Sequence, residues 1–266
     1  MARIEPLKPL VDDGLPTPEI GAWGEEKYRH VQLDLFAGSG RSQIRGTRRI
    51  VSASPLLILG MAEAFDKYIF CEQDKNYTEA LKTRCRRDFP SRKVEIIAGN
   101  ANASVENILS EMPRPGKNQK VLGFCFIDPF QLQNFHFSTI ETLSQRFMEF
   151  LVLIPSSMDA NRNEQNYIQP RNRTLDNFVG TADWRVRWDK EKATGKSFEN
   201  FVVEEFGRSM QRLGYIDPGL KEARMIRTDE NLRLCRLALY SKHKLGPKFW
   251  KETKKYSNPQ TGFGFL

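Results

Sequence analysis

The stretch Val31-Gln32-Leu33-Asp34-Leu35-Phe36-Ala37-Gly38-Ser39-Gly40 decides how the rest of the chain is read. A short apolar strand with one internal aspartate runs straight into a small-residue loop holding two glycines. Glycine has no Cβ, so such a loop lets the backbone approach a ligand closely. In an open α/β sheet the loop falls at the carboxyl end of a strand, where ligands bind. Taken alone, the pattern fits a nucleotide or nucleoside site and a plain tight turn about equally.

Outward from that loop, strand and helix patterns alternate. The sequence predicts strands at 31–36, 67–71, 93–97, 121–127 and 148–154, each an apolar run rich in β-branched or aromatic residues. A helix opens at Pro55, well placed in a first turn. Others are expected at about 75–87, 103–112 and 136–146. Such alternation implies parallel strands joined by right-handed crossovers. After Pro155 the pattern breaks. Residues 156–196 show no long periodic segment, and loops of that length in a compact domain are usually functional or disordered. A helix returns at about 197–213, with Phe198, Phe201, Val202, Phe206, Met210 and Leu213 as its apolar stripe and Gly214 as its stop. Strands at 221–228 and 232–240 follow, joined by the turn Asp229-Glu230-Asn231, too short for anything but antiparallel pairing. A basic helix from about 244 to 256 closes the fold. The expected class is α/β, a mostly parallel seven-stranded sheet with an antiparallel last strand. Residues 28–256 read as a single domain carrying 156–196 as a long insert. Residues 1–27, rich in Pro and Gly, read as an N-terminal arm, and 257–266 as a C-terminal tail.

Composition narrows the function classes. The 266 residues suffice for one large domain with a full core. No run of eighteen apolar residues occurs, so no membrane helix and no membrane partner is expected. The start Met1-Ala2-Arg3-Ile4-Glu5-Pro6 has no apolar leader, and with reduced thiols this gives a cytoplasmic expectation. Cys71, Cys85, Cys125 and Cys235 lie far apart with no C-x-x-C spacing, and His30, His136 and His243 are scattered, so no metal site is expected. The formal net charge is +8, and Arg208 to Lys255 carries 13 Lys and Arg against 5 Asp and Glu. A basic end on a neutral body suits a polyanion such as nucleic acid, or is simply a solvated basic face.

Three further positions fall where a nucleoside ligand would need them. The second strand delivers Glu72 at its carboxyl end, where a carboxylate can accept hydrogen bonds from ribose hydroxyls. The third ends in Ile97-Ala98-Gly99-Asn100-Ala101-Asn102, a small-residue turn whose amide offers donor and acceptor to an adenine edge. The fourth runs into Asp128-Pro129-Phe130: an acid, a stiff turn and a flat ring suited to orienting an acceptor. Each also has a plain reading, as a strand-end acid, a Gly-Asn turn, and a capping Asp beside a core Phe.

Together, in this order, these elements resemble the motifs of class I S-adenosylmethionine-dependent methyltransferases, whose Rossmann-like fold has this strand order with the closing hairpin. More narrowly, the chain resembles the three-Cys-motif partner protein family. The residues that carry the resemblance are Phe36-Ala37-Gly38-Ser39-Gly40, Ser54-Pro55-Leu56 and Ile127-Asp128-Pro129-Phe130. Further on come Phe178-Val179-Gly180-Thr181 with Asp183-Trp184-Arg185, then Leu239-Tyr240-Ser241-Lys242-His243 with Gly246 and Phe249-Trp250. The resemblance implies S-adenosylmethionine as cofactor, held by Asp34, Phe36, Ala37, Gly38, Gly40, Glu72, Asn100 and Ala101. Asp128, Pro129 and Phe130 would form the catalytic acceptor site. It also implies a separate three-Cys-motif protein as a partner.

The chain departs from the common pattern in two places. About fourteen residues, including Arg41, Arg45, Arg48 and Arg49, separate the glycine loop from Pro55, where a helix usually follows at once. This puts the usual dipole contribution of that helix in question and adds a basic rim. In addition, Gln131 follows Asp-Pro-Phe, unlike the acceptor motif of the base amino-methyltransferases. In the insert, Arg171, Arg173, Trp184, Arg185, Arg187 and Trp188 interleave cations with indoles. Such mixtures bind phosphates and stack on bases, but the i, i+4 spacing of the tryptophans equally fits a short helix anchored in the core. Arg41, Arg45, Arg171, Arg173 and Arg185 are the expected substrate-binding residues. The expected function is methyl transfer to a nucleic acid or nucleotide-like substrate. The alternative is a non-catalytic module of the same fold that binds nucleic acid or protein within an operon-encoded complex.

Overall fold

The computed structural model describes residues 27–44, 48–117, 119–228 and 230–256. Strand β1 is Lys27–Asp34. A small hairpin follows, β2 Arg41–Gln43 and β3 Ile50–Ser52, and then helix α1, Ser54–Leu59. The chain alternates through β4 Lys67–Glu72, α2 Lys75–Asp88, β5 Val94–Ala98, α3 Val105–Glu111, β6 Gln119–Ile127, α4 Phe137–Leu143 and β7 Met148–Ile154. Short helices α5 Glu164–Tyr167, α6 Thr174–Val179 and α7 Trp184–Lys192 precede the long α8, Phe198–Arg212. The chain closes with α9 Gly219–Glu222, β8 Arg224–Arg227, β9 Arg233–Tyr240 and α10 Leu245–Tyr256.

The main sheet has seven strands in the order β5-β4-β1-β6-β7-β9-β8. β1 pairs in parallel with β4 and β6, β4 with β5, and β6 with β7. Only β9 reverses, running antiparallel to both β7 and β8. The reason both faces are covered can be read along β4. Tyr68 and Phe70 pack into a cluster with Leu56, Leu59 and Leu81, whereas Ile69 and Cys71 join the larger core. Successive strand residues point to opposite faces, so α1 and α2 cover one side and the larger core the other.

Local chemistry sets the helices. Asp74 caps α2 by accepting hydrogen bonds from the Asn76 and Tyr77 amides at 2.8 and 3.0 Å. Thr78, Leu81 and Cys85 form its buried stripe, and Arg86 and Arg87 sit in the last turn, favourable for the helix dipole. Helix α8 buries Phe198, Phe201, Val202, Phe206 and Met210, the stripe expected from the sequence.

Several boundaries differ from expectation. β1 begins four residues early because Lys27 to His30 pair with Gln119 to Leu122 of β6, so the strand reaches into what read as the arm. The penultimate strand is shorter, since Gly219–Glu222 is helical before β8 starts. The insert is not irregular. It opens with a single π turn at Ser156–Ala160, whose Ala160 and Asn161 amides reach back five residues to Pro155 and Ser156, and continues as α5, α6 and α7. These pieces are too short to show a hydrophobic period. Most of residues 1–27 and all of 257–266 lie outside the described residues, as does Arg45.

The hairpin resolves the departure after the glycine loop. The Ala53 amide donates to the Gly40 carbonyl at 2.9 Å, so the two ends of the 41–52 excursion meet. In space α1 therefore follows the glycine loop directly, and the described parts of the excursion, 41–44 and 48–52, form an appended ribbon.

Candidate functional site

Going outward from β1, chain order runs through β4 to β5 on one side and through β6 to β7 on the other. In an open parallel sheet the crevice at such a reversal, beyond the carboxyl ends of the strands, is where ligands bind. A cleft of about 540 Å³ lies there, within the range of small-molecule sites. Its walls come from four neighbouring strand ends: Leu35 and Phe36 after β1, Glu72 to Lys75 after β4, Gly99 to Ala101 after β5, and Phe130, Gln131 and Asn134 after β6.

Glu72 ties two of these ends together. One carboxylate oxygen accepts the Gly38 amide at 2.8 Å and the other the Asp74 amide at 2.7 Å. Each oxygen offers about two lone pairs, so both keep room for a further donor. Gly38 has φ +62 and a Cβ there would meet nothing within 4 Å, so the backbone lies bare at this point. Gly40 is different. At φ +79 its Cβ would lie 2.8 Å from Leu81 and 3.0 Å from Leu56, so this glycine serves the packing of α1 and α2 on the loop. Ala37 is buried in that same packing.

Asp34 is fully buried beneath the loop. It accepts from the Ser54 hydroxyl at 2.6 Å and the Phe36 amide at 3.1 Å. Burial pushes its carboxyl up to about 7, partly offset by those two bonds and reinforced by the charges of Asp128 and Glu72. Asp128 directly follows β6, close enough for its charge to act on Asp34. Burial raises this carboxyl to about 6, and no described residue hydrogen-bonds to it. Pro129 is buried, and Phe130 turns outward with 66 % of its surface exposed. Asn100 lines the cleft with its amide nitrogen donating to Gln73 at 3.0 Å and its oxygen accepting from the Asn102 amide at 2.9 Å.

Of the expected cofactor residues, the cleft is therefore lined by Phe36, Glu72, Asn100 and Ala101, while Asp34, Ala37 and Gly40 sit behind it. Arg41 belongs to the hairpin ribbon and pairs with Asp88 at 3.4 Å. Arg171 and Arg173 line a second cleft of about 340 Å³ with Gln133, His136, Thr174 and Asn177. Arg185 lines neither. It binds Asp176 at 2.5 Å, donates to the Asn172 carbonyl at 2.5 Å, and lies over the Trp184 ring at 4.5 Å. Trp184 and Trp188 are both buried against Phe198 and Phe201, which makes them core anchors. Among the described residues no group of His, Cys, Asp and Glu is placed to hold a metal ion, and no helix is long and apolar enough to cross a membrane.

Two residues the sequence did not single out hold the loop after β6. Asn102 donates to the Asn134 carbonyl at 3.0 Å and accepts from the His136 amide and the Thr139 hydroxyl at 2.9 and 3.0 Å. Asp159, on the π turn, accepts from the Leu132 amide at 2.6 Å and from Asn163 and Tyr167, both at 2.8 Å. Both reach across more than twenty residues of chain, and no local spacing announces such a bond.

A parallel sheet with one reversed strand next to last in space, in the order β5-β4-β1-β6-β7-β9-β8, defines the fold. It is the Rossmann-like methyltransferase fold. No family model matches the chain, and no curated protein matches it. Among solved structures, a Legionella pneumophila protein described as DUF519 is 11 % identical, covering 88 % of this chain and 86 % of that one, with a TM-score of 0.46. The cyclopropane synthase MmaA2 of Mycobacterium tuberculosis is 9 % identical over 81 % of this chain and 79 % of its own, with a TM-score of 0.34. A geranyl diphosphate methyltransferase in complex with GPP and sinefungin is 10 % identical over 84 % of this chain and 74 % of its own, again with a TM-score of 0.34. Likenesses this distant say nothing of what this chain acts on.

Proposed function

We propose that the chain binds S-adenosylmethionine in the cleft beyond β1, β4, β5 and β6 and transfers its methyl group to a nucleic acid or nucleotide-like acceptor. The observation that carries this reading is the convergence of Phe36, Glu72 and the Asn100-Ala101 turn on one cleft of about 540 Å³, with Glu72 tied to the glycine loop through the Gly38 amide. Glu72 keeps a free lone pair on each oxygen for the two ribose hydroxyls, held in place by the Gly38 and Asp74 amides. Asn100 and Ala101 supply the adenine wall, and Gly38 allows close backbone approach to the rest of the cofactor. When bound, the cofactor supplies an electrophilic methyl group.

The chain's own residues orient the acceptor. Alignment within a rigid crevice supplies much of the rate enhancement in such transfers. Phe130, exposed at the cleft rim, offers a flat apolar face to a planar acceptor. Asp128, one residue before Pro129 and Phe130 at the cleft rim, is suited to removing a proton from it: no described residue hydrogen-bonds to its carboxyl, which is raised to about 6, close to neutral pH. That unpartnered acid favours an enzyme over a non-catalytic module. The order of motifs supports membership of the three-Cys-motif partner family, with a separate three-Cys-motif protein as partner. The exposed Lys244, Lys248 and Lys251 support contact with a polyanion.

Calorimetry with S-adenosylmethionine, S-adenosylhomocysteine and NAD tests the cofactor. Binding of the sulfur compounds, lost about ten- to a hundredfold in Glu72→Ala, is expected from two charge-assisted hydrogen bonds. Failure of the folded wild-type chain to bind either sulfur compound would refute the proposal. With the acceptor in hand, Asp128→Ala abolishes methylation and spares cofactor affinity; retained methylation shows that Asp128 is not the base.

A further inference from the structure

The second cleft lies one short turn from the first. A 3₁₀ turn, Leu132–Asn134 capped by Gln131, separates them: Gln131 and Asn134 line the cofactor cleft and Gln133 lines the other. The lining of the second cleft is entirely polar and has no carboxylate: Gln133, His136, Arg171, Arg173, Thr174 and Asn177. Arg171 has no hydrogen bond or ion pair among the described residues. Arg173 pairs with Asp176 at 3.0 Å, but that carboxylate also serves Arg185 at 2.5 Å. That one acid is shared by two guanidiniums and Arg171 has none, which leaves the wall of this cleft positively charged. Asp176 is itself buried and turned toward the Trp184 indole, to which it is bonded at 2.7 Å.

Resting on the function proposed above, we infer that this cleft is the subsite for a phosphate of the acceptor. A guanidinium presents a rigid fork of donors that matches phosphate oxygens, and here one guanidinium is uncommitted and a second only half-committed. The amides of Gln133 and Asn177 and the Thr174 hydroxyl supply further donors. The shared 3₁₀ turn relates the two clefts: an acceptor base on Phe130 beside Asp128 places its sugar and phosphate across that turn. The substrate class is thereby narrowed to a nucleotide, free or within a strand, that carries phosphate next to the methylated base.

The test measures binding of a labelled short single-stranded oligonucleotide to the full chain over a range of salt, with and without saturating S-adenosylhomocysteine. Unlabelled 5′-mononucleotides and the unlabelled strand serve as competitors. The double variant Arg171→Gln, Arg173→Gln should bind at least about tenfold more weakly, and its slope of log affinity against log salt should fall by about 1.4, two contacts' worth for a single strand. Arg171 is exposed and makes no hydrogen bond or ion pair among the described residues, and Asp176 retains Arg185, so the fold survives. Arg171→Glu alone gives a second reading of the same sign. Competition by mononucleotides assigns a phosphomonoester, and competition by the strand alone assigns a phosphodiester. Variant affinity and slope within twofold of wild type overturn the inference, as does a wild type that binds neither ligand. The S-adenosylhomocysteine titration fails independently if the cofactor reading is wrong, and the phosphate result then still stands by itself.

Discussion

Asp34→Asn is expected to make the protein more stable at mildly alkaline pH, against the usual cost of changing a buried charged residue. The wild-type carboxyl is fully buried and raised from 3.8 to about 7, burial being the largest cause. A folded state that holds a proton more tightly than the unfolded chain is favoured while that proton is bound. The contribution is therefore complete below pH 3.8, declines as pH rises, and is gone above about 7. About three pH units at about 1.4 kcal/mol each give a ceiling of about 4 kcal/mol. Asn is neutral throughout. Its oxygen can still accept from the Phe36 amide, and the Ser54 hydroxyl can turn to accept from its nitrogen. Asp128 acts with the same sign over the shorter interval from 3.8 to about 6, and it remains in the variant. Urea unfolding across this pH range should show wild-type stability falling more steeply than that of Asp34→Asn, with the variant ahead above pH 7 by up to about 4 kcal/mol. Parallel curves, or a variant less stable than wild type at alkaline pH, would refute the reasoning that burial keeps Asp34 protonated.

Two further outcomes follow from the loops. Gly40→Ala should destabilise by about 2–4 kcal/mol, from a left-handed backbone plus collision with Leu56 and Leu81, whereas Gly38→Ala carries only the backbone cost of about 1–2 kcal/mol. Thermal scanning reads both, and equal melting temperatures for the two variants contradict the assigned packing role of Gly40. Asn102→Ala removes the acceptor used by the His136 amide and the Thr139 hydroxyl, so amide exchange at His136 should speed up markedly and stability fall by about 1–3 kcal/mol. Unchanged exchange at His136 would show that the loop after β6 is held by other contacts.

Much of the fold is legible along the chain because its signals are local. Apolar runs ending at Asp34, Glu72, Ala98, Ile127 and Ile154 mark five parallel strands, and a connection of only five residues leaves β8 and β9 no choice but to pair antiparallel. The stripe of α8 is equally plain, since fifteen residues give the helical period room to repeat. The insert is not legible for the converse reason. A π turn and helices of four, six and nine residues are too short for a period, and they owe their shape to packing on α8. The indole–arginine mixture illustrates the limit. Its composition suits nucleic acid, yet Trp184 and Trp188 are core, Arg185 is bound to Asp176, and Arg171 and Arg173 face a cleft.

By itself the sequence determined the strand–helix order and the residues that stand at strand ends, because a strand's side-chain period and a glycine loop are properties of neighbouring residues. Tertiary structure alone decided which of those residues line the cleft and which pack behind it. Glu72 is joined to Gly38 across thirty-four positions, Asp159 to Leu132 across twenty-seven, and Gly40 turns out to pack against Leu81 although it lies in the same loop as the bare Gly38. Such pairings depend on how the sheet brings distant strand ends to one edge, and no window along the chain contains both partners.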